Sequence, residues 1–255
     1  MSTPTLEPGG GTLAIGPLVS AALRDLTDDI QGYALATLGL LALALPVGMV
    51  VGTVLMFGLN VSLFVGIGVA GLGGALDDPD LAPLFGLGGV LGGAASAFLV
   101  LVGAIGFAAA ALAPVNASLT RAIAARQRGE APLTFSSGFA TIGEAPFASV
   151  LAAGIVAAAS LFGMLFCYVG ALVPAALFAF VPAMVALHRR GVLDALTRCA
   201  RHAAAHPGEH LVFAVVYMLV SMVAANIPVF GHAFLLALNV RAYRTVFGDG
   251  AEPLA

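Results

Sequence analysis

Long apolar runs separated by short polar segments dominate the pattern of this chain. A helix needs about 20 apolar residues to cross a hydrocarbon core of about 30 Å, and several runs approach or exceed that length. The pattern therefore predicts an all-α protein, a polytopic transmembrane helix bundle. The charge-free runs are 33–76, 81–113, 146–168, 170–187, 211–225 and 229–239.

The positions of the basic residues predict how many times the chain crosses the membrane. All ten are Arg, and most of them lie in clusters that follow the apolar runs. Cytoplasmic loops carry the excess of basic residues, so two crossings between successive clusters keep all of them on one side. This gives six spans as three hairpins, with both termini cytoplasmic and "DDPD" at 77–80 outside. The predicted spans are 33–57, 82–113, 146–168, 170–187, 209–226 and 229–245.

The bundle accounts for nearly the whole chain. Residues 1–13 are expected to form a flexible tail, 14–248 a single transmembrane domain, and 249–255 a C-terminal tail. Residues 58–76 are rich in Gly, and in a six-span protein they form an outer or re-entrant segment that the bundle must shield. A seven-span alternative, with the N-terminus outside, makes this segment a span of its own.

A first amphipathic helix is predicted at 17–30. Val19, Leu23, Leu26 and Ile30 recur at helical spacing and share one face. Such a helix typically lies in the headgroup layer of the membrane, and a partner-binding face is the alternative.

A second amphipathic helix is predicted at 191–206, on the cytoplasmic side. Cys199 belongs to its apolar stripe and is expected to face lipid or core, whereas Arg198 and Arg201 lie on the opposite face. Arg side chains on such a helix reach anionic headgroups. The candidate contacts with headgroups or a protein partner are Arg189, Arg190, Arg198 and Arg201.

Composition agrees with a membrane location and excludes some partners. Hydrophobic residues make up 60% of the chain and charged residues 9%, far from the roughly 25% charged content of a soluble domain. A net charge of −3 offers no basic field for nucleic acid. The N-terminus begins without a basic residue or an apolar core, so we expect no cleaved signal peptide.

One short motif raises the question of metal chemistry. His206, Glu209 and His210 have the H-x-x-E-H order of an inverted zinc-peptidase signature. That site needs an unbroken helix, but Pro207 and Gly208 interrupt it and are typical of a helix boundary. We therefore expect one helix to end at His206 and Glu209 to lie in the first turn of the next.

A second metal hypothesis uses Cys199, His202 and His206, whose spacing keeps them near one side of a helix. Three such ligands could hold zinc. Because Cys199 belongs to the apolar stripe, an interfacial helix is favoured, and no cofactor is expected. A zinc-dependent membrane enzyme remains a remote alternative. Together with His188, the histidines of this region are expected at the membrane surface, where their protonation would tune headgroup binding.

Ionisable residues are absent from the middle of every predicted span, although such residues usually mark proton relays and ion-coupled transport. The polar residues Asn60, Asn226 and His232 are expected to cluster near the outer surface, where they form interhelical hydrogen bonds. The alternative is a substrate cavity lined by these three residues.

Small residues and prolines also shape the expected spans. Gly48 and Gly52, and likewise Gly89 and Gly93, have G-x-x-x-G spacing, which allows helix backbones to approach closely. We expect tight packing within the bundle. Pro174 and Pro182 are expected to bend their helices.

From about residue 114 onward the chain resembles a group of poorly characterised bacterial six-helix membrane proteins. The resemblance rests on "RQRGE" before "FSSGF" at 135–139, on a Gly170 to Pro174 step that leads to "DAL", and on "IPVFG" before "RAYRTVFGD". The group includes YciC-like proteins and the membrane domain of some glycerophosphodiester phosphodiesterases. The resemblance implies the fold and an inner-membrane location, but no activity.

Three functions follow from these patterns as hypotheses. The first is a non-enzymatic inner-membrane protein that organises lipid, or contacts a protein partner or further copies of itself. The second is a small-solute or lipid permease that works as an oligomer, and the third is the zinc enzyme. The first predicts a closed apolar bundle, and the second a polar cavity that reaches toward the membrane midplane.

Overall fold

The computed structural model describes residues 13–75, 82–144, 146–164, 168–188, 191–224 and 226–248. Within these ranges the regular elements are all helices, as predicted. One of them is a short 3-10 helix at Phe135–Gly138. The helices are α1 (Ile15–Asp28), α2 (Ile30–Ala75), α3 (Ala82–Gln127), α4 (Pro146–Met164), α5 (Tyr168–Phe178), α6 (Val181–His188), α7 (Val192–Ala205), α8 (Pro207–Ala224) and α9 (Pro228–Phe247).

Four helices among the described residues are long and apolar enough to cross a membrane. These segments are Ile30–Leu72, Pro83–Gln127, Pro146–Gly163 and Pro207–Ala224, and Leu172–His188 is a shorter apolar helical stretch. The chain therefore has the helices of a membrane-embedded protein. Six crossings and their arrangement as hairpins stay a prediction.

Residues 58–75 do not form a re-entrant segment, which was one of the two forms predicted for this Gly-rich stretch. Helix α2 runs without a break from Ile30 to Ala75, so 58–75 forms neither a re-entrant segment nor a span that is separate from 33–57. Helix α3 likewise continues past 113 to Gln127. Each helix has 46 residues, more than twice the roughly 20 that cross a hydrocarbon core. The segment "DDPD" lies outside the described residues.

Close packing against α3 explains why this Gly-rich segment remains helical. Residues Leu45–Ala109 form one compact unit, in which α2 and α3 run antiparallel. A Cβ atom on Gly89 would lie 2.4 Å from the carbonyl oxygen of Gly66, and one on Gly93 would lie 3.2 Å from that of Ser62. Only glycine allows backbones to approach so closely, and the two helices therefore hold each other.

The G-x-x-x-G pairs fulfil this expectation unequally. Gly89 and Gly93 face α2, but a Cβ atom on Gly48 or Gly52 would meet nothing within 4 Å. Large apolar side chains such as Phe57 and Phe64 point away from this helix pair and are about three-quarters exposed. Such a surface suits contact with lipid.

The second compact unit contains Met1–Ala44 and Ala110–Ala255. Its core is built around Phe180, which is fully buried in the turn between α5 and α6. The Phe180 ring lies 5.1 Å from that of Phe213 and 6.4 Å from that of Tyr243, between ring centroids. The core thus joins α8 and α9 to this turn.

The predicted span 170–187 is two helices, α5 and α6. Pro174 lies inside α5 as expected. Pro182 instead occupies the second position of α6, where the missing N–H costs no hydrogen bond. The chain therefore breaks at Ala179 and Phe180 rather than bending at Pro182.

Helix α1 buries a face that matches the predicted one only in part, because Leu26 is buried and Val19 is partly buried, as expected. It packs against α9 through Leu18, Ala22 and Leu26, whereas Leu23 and Ile30 are about half exposed. The buried positions still follow helical spacing. The apolar residues alone did not identify the face.

Charged pairs set the orientation of α1. Asp25 accepts hydrogen bonds from both Arg241 on α9 and Gln127 on α3. Asp29 caps α2 by accepting from the backbone N–H of Gly32, and it also pairs with Arg126 at 2.6 Å. These contacts hold α1 against α3 and α9, and the start of α2 against the end of α3.

Candidate functional site

The second unit contains a polar cavity of about 710 Å³. Its walls come from the C-terminal part of α3, the loop after it, and the ends of α6 and α9. We call it the polar cavity and define it by the side chains that matter for its chemistry. These are Ser118, Arg121, Arg128, Thr141, His188 and Arg244.

Arg121 is the structural anchor of this cavity. Its guanidinium group donates to the carbonyl oxygens of Ala186, Thr141 and Glu144, at 2.5, 3.0 and 2.9 Å. It also forms an ion pair with the Glu144 carboxylate at 3.3 Å. Because carbonyl oxygens accept these donors, Arg121 stabilises the junction of α3, α6 and the loop rather than waiting for a ligand.

Ser118 and Thr141 fold the loop onto α3. The Ser118 hydroxyl donates to the carbonyl oxygen of Ser137 and accepts from both the backbone N–H and the hydroxyl of Thr141. Thr134 and Ser137 form a reciprocal capping box at the start of the 3-10 helix. The cavity wall therefore has a defined backbone and presents hydroxyl groups.

The remaining charged groups lie nearer the surface. Arg128 pairs with Glu130 at 2.5 Å, with side chains about one-third and one-half exposed. The Tyr243 hydroxyl lies 3.1 Å from Nδ1 of His188. Arg244 completes a lining that holds three Arg and two Glu.

This arrangement suits an anionic, hydroxyl-bearing group. The volume falls in the usual range of about 300–1,000 Å³ for ligand sites. Arg binds phosphate oxygens through two parallel N–H donors, whereas the hydroxyl hydrogens of Ser118 and Thr141 are already donated within the cavity wall. The exposed Arg128–Glu130 pair is worth about 1 kcal/mol or less, so an anion can replace Glu130 at small cost.

The predicted basic contacts lie elsewhere in the sequence. Arg198 pairs with Asp194 one turn away on α7, and Arg201 is exposed on the same helix. Neither of them lines the polar cavity. Arg189 and Arg190 lie outside the described residues. Sequence analysis missed Arg121, Arg128 and Arg244 as a group because Arg244 is distant in the chain from the other two, although all three follow apolar runs.

The three residues of the expected outer cluster each form a separate hydrogen bond. His232 donates from Nε2 to the side-chain oxygen of Asn116 at 3.0 Å, an interhelical hydrogen bond of the expected kind. Asn60 donates to the carbonyl oxygen of Met56 in its own helix, and Asn226, in the turn after α8, donates to that of Met222. Clustering of the three stays a prediction.

The structure supports neither zinc hypothesis. Among the described residues, no group of three or more His, Cys, Asp or Glu side chains could hold a metal ion. Cys199 is fully buried in the core, as its place in the apolar stripe suggested. Helix α7 ends at Ala205 and α8 begins at Pro207, so the H-x-x-E-H motif spans a boundary, as predicted. Glu209 accepts a hydrogen bond from the backbone N–H of Leu13 at 2.9 Å.

The histidines at this boundary nevertheless form a group. Nδ1 of His202 lies 2.8 Å from Nε2 of His210, and Nδ1 of His210 lies 2.9 Å from the carbonyl oxygen of Ala176. The ring centroids of His202 and His206 are 4.7 Å apart. Burial lowers the pKa of His202 below its ordinary value, and the nearby imidazoles of His210 and His206 lower it further.

Comparison with known proteins identifies no relative. No family model, curated protein or solved structure matches this chain. The similarity to YciC-like proteins stays a prediction.

Proposed function

We propose that the protein is a non-enzymatic, multi-pass protein of the bacterial inner membrane that organises lipid by binding anionic headgroups. The observation that carries this proposal is the polar cavity, whose lining combines three Arg with hydroxyl groups in a chain of largely apolar helices. A headgroup would bring its phosphate to Arg128 and Arg244, while its acyl chains contact apolar helix surface. Family membership in the YciC-like group belongs to the same proposal.

The charge distribution supports a cytoplasmic position for this cavity. Arg126 and Arg128 follow the apolar run of α3, and Arg241 and Arg244 follow that of α9. Basic residues accumulate on the cytoplasmic side, where anionic lipids create a negative surface potential. Both termini are then cytoplasmic, and Arg198 and Arg201 of α7 provide further headgroup contacts.

The permease alternative receives less support. The polar cavity is lined by helix ends and a loop, with Arg121 and Gly248 among its walls, rather than by polar groups at mid-span. An open cavity of this size is nevertheless the first requirement of a permease. Solute flux into liposomes that contain the protein distinguishes the two, because a headgroup site produces no flux.

The test uses the full chain in detergent with defined lipids. Phosphatidylglycerol is expected to raise the melting temperature more than phosphatidylcholine does, because only the former carries net negative charge. Arg128→Gln combined with Arg244→Gln should remove that difference. Arg24→Gln changes one exposed Arg on α1, outside the cavity, and should retain it. Equal stabilisation by both lipids, or an unchanged difference in the double variant, contradicts the proposal.

A further inference from the structure

The contact between His202 and His210 joins three helices at one point. His202 lies near the end of α7, His210 lies in the first turns of α8, and the carbonyl oxygen of Ala176 belongs to α5. His210 is 1% exposed, and its ring meets that of Phe180 edge-on at 5.5 Å. The pair is therefore held in a fixed geometry by the core.

Elementary hydrogen-bond chemistry assigns the protons of the neutral pair. A carbonyl oxygen can only accept, so Nδ1 of His210 carries the hydrogen that points to Ala176. Neutral His210 then has no hydrogen on Nε2, and this nitrogen accepts from Nδ1–H of His202. The contact therefore requires that both imidazoles carry their hydrogen on Nδ1.

This assignment limits how many protons the pair can take up. A first added proton can bind Nε2 of His202 and leave the shared hydrogen bond intact. A second must bind Nε2 of His210, where it would face the Nδ1–H of His202 across 2.8 Å. Two hydrogens and two positive charges cannot share that distance, so the contact breaks.

We propose that His202 and His210 form a proton-binding site that latches α7 to the bundle and releases it when both imidazoles are protonated. The proposal does not rest on lipid binding in the polar cavity. It assigns to these two residues a response to pH.

The groups around His202 favour release of α7, because they provide little negative charge to balance the added protons. The charged or titratable groups that act on His202 are His210, His206 and Glu209. Glu209 is the sole anion among them, and it already accepts from the backbone of Leu13. From α9 the Phe247 ring faces His202 at 5.2 Å and offers no charge.

The apolar face of α7 is small, which makes release feasible. Its buried residues are Val192, Ala195, Cys199 and Ala203, and such small side chains remove little apolar area from water. The Tyr243 ring lies near this region, and its centroid is 6.4 Å from that of the Phe180 ring. No large side chain of α7 is fully buried in the bundle.

The chain contains its own reporter of release. Cys199 lies on the buried face of α7, fully inaccessible, and burial raises the pKa of its thiol to about 12. The chain has two Cys, so Cys167→Ser leaves Cys199 as the only thiol. Its reaction with 4,4′-dithiodipyridine, a reagent that works in acid, measures how often α7 opens.

The experiment uses the full chain with Cys167→Ser, reconstituted in nanodiscs. The labelling rate is divided at each pH by that of the same protein unfolded in guanidinium. Because opening takes up at least one proton, the ratio should rise at least about tenfold per pH unit below about pH 6.5, the ordinary pKa of His. His206→Gln keeps the pair and should keep this slope.

Two variants remove the site in different ways. His202→Phe packs against Phe247 and has no hydrogen bond to His210 that protonation could break. The amide of His202→Gln can donate to neutral His210 or, after rotating, accept from protonated His210, so its contact survives protonation. Both should show a ratio that is low and independent of pH. Labelling of His202→Phe at every pH would mean that this substitution itself opens α7. In that case the test compares the pH slope of the parent with that of His202→Gln. A flat profile in the parent, or a retained slope in His202→Gln, overturns the proposal.

Discussion

Arg241 near the end of α9 and Asp25 on α1 form a two-point ion pair between residues that are 216 positions apart. The pair explains which face α1 turns toward the bundle, because Asp25 can reach Arg241 only when Leu18, Ala22 and Leu26 point inward. Gln127 of α3 donates to the same carboxylate. One carboxylate thus links three helices.

Asp25→Asn should destabilise the protein. The change removes the charge that Arg241 requires and leaves a guanidinium group about one-third exposed without its anion. We expect a loss of about 1–2 kcal/mol after allowing for solvent screening. Equilibrium unfolding in mixed micelles measures it. Asp28→Asn lies on the same helix, where its side chain is exposed, and should change stability by less than about 0.5 kcal/mol.

Arg121→Lys tests whether the guanidinium shape matters in the cavity wall. Lys keeps the charge but cannot direct donors to Ala186, Thr141 and Glu144 at once. Since partly buried carbonyl acceptors would lose this donor, we expect a loss of about 2–4 kcal/mol in the free energy of unfolding. Arg198→Lys alters an exposed pair within α7 and is the matched control. Equal effects of the two substitutions would show that Arg121 is not an anchor.

Gly89→Ala should separate α2 from α3 in the Leu45–Ala109 unit. The added Cβ would lie 2.4 Å from the carbonyl oxygen of Gly66 and 2.9 Å from the backbone nitrogen of Ala70. Backbone atoms cannot yield as a flexible side chain does, so we expect a loss of about 1–3 kcal/mol. Gly92→Ala, one turn away with open space around it, should be neutral or slightly stabilising because Ala favours helix. Urea or SDS titration compares the two.

Stability should fall as the pH is lowered through the range in which His202 titrates. Its pKa is lower in the folded state than in the unfolded state, so the unfolded chain binds more protons in that range. The stabilisation is therefore complete above the ordinary pKa of about 6.5 and is lost as the pH falls through the folded value. Melting temperatures measured from neutral to acid pH check this.

Two substitutions sharpen that pH measurement. His202→Phe should flatten the part of the profile that His202 causes, whereas His206→Gln should leave most of it. A parent protein whose melting temperature rises toward acid pH would contradict a lowered pKa of His202 in the folded state.

The local features of this chain could be predicted from its sequence. The apolar runs specified helices because a chain in lipid must satisfy its backbone hydrogen bonds within each segment. The boundary at His206 and Pro207, and the buried position of Cys199 on α7, also followed from neighbouring residues alone. Each of these depends on spacing within one or two helical turns, which the sequence displays directly.

The tertiary structure decided what depends on distant residues. The inward face of α1 follows from Arg241, and the unbroken course of α2 follows from the contacts of Gly66 with Gly89. The polar cavity and the His202–His210 pair likewise arise where separate helices meet. Periodicity shows which residues share a face of one helix, but only packing selects the partner of that face. The energy of an ion pair or a close backbone contact depends on the distance between residues of different helices, which the sequence of one helix does not specify.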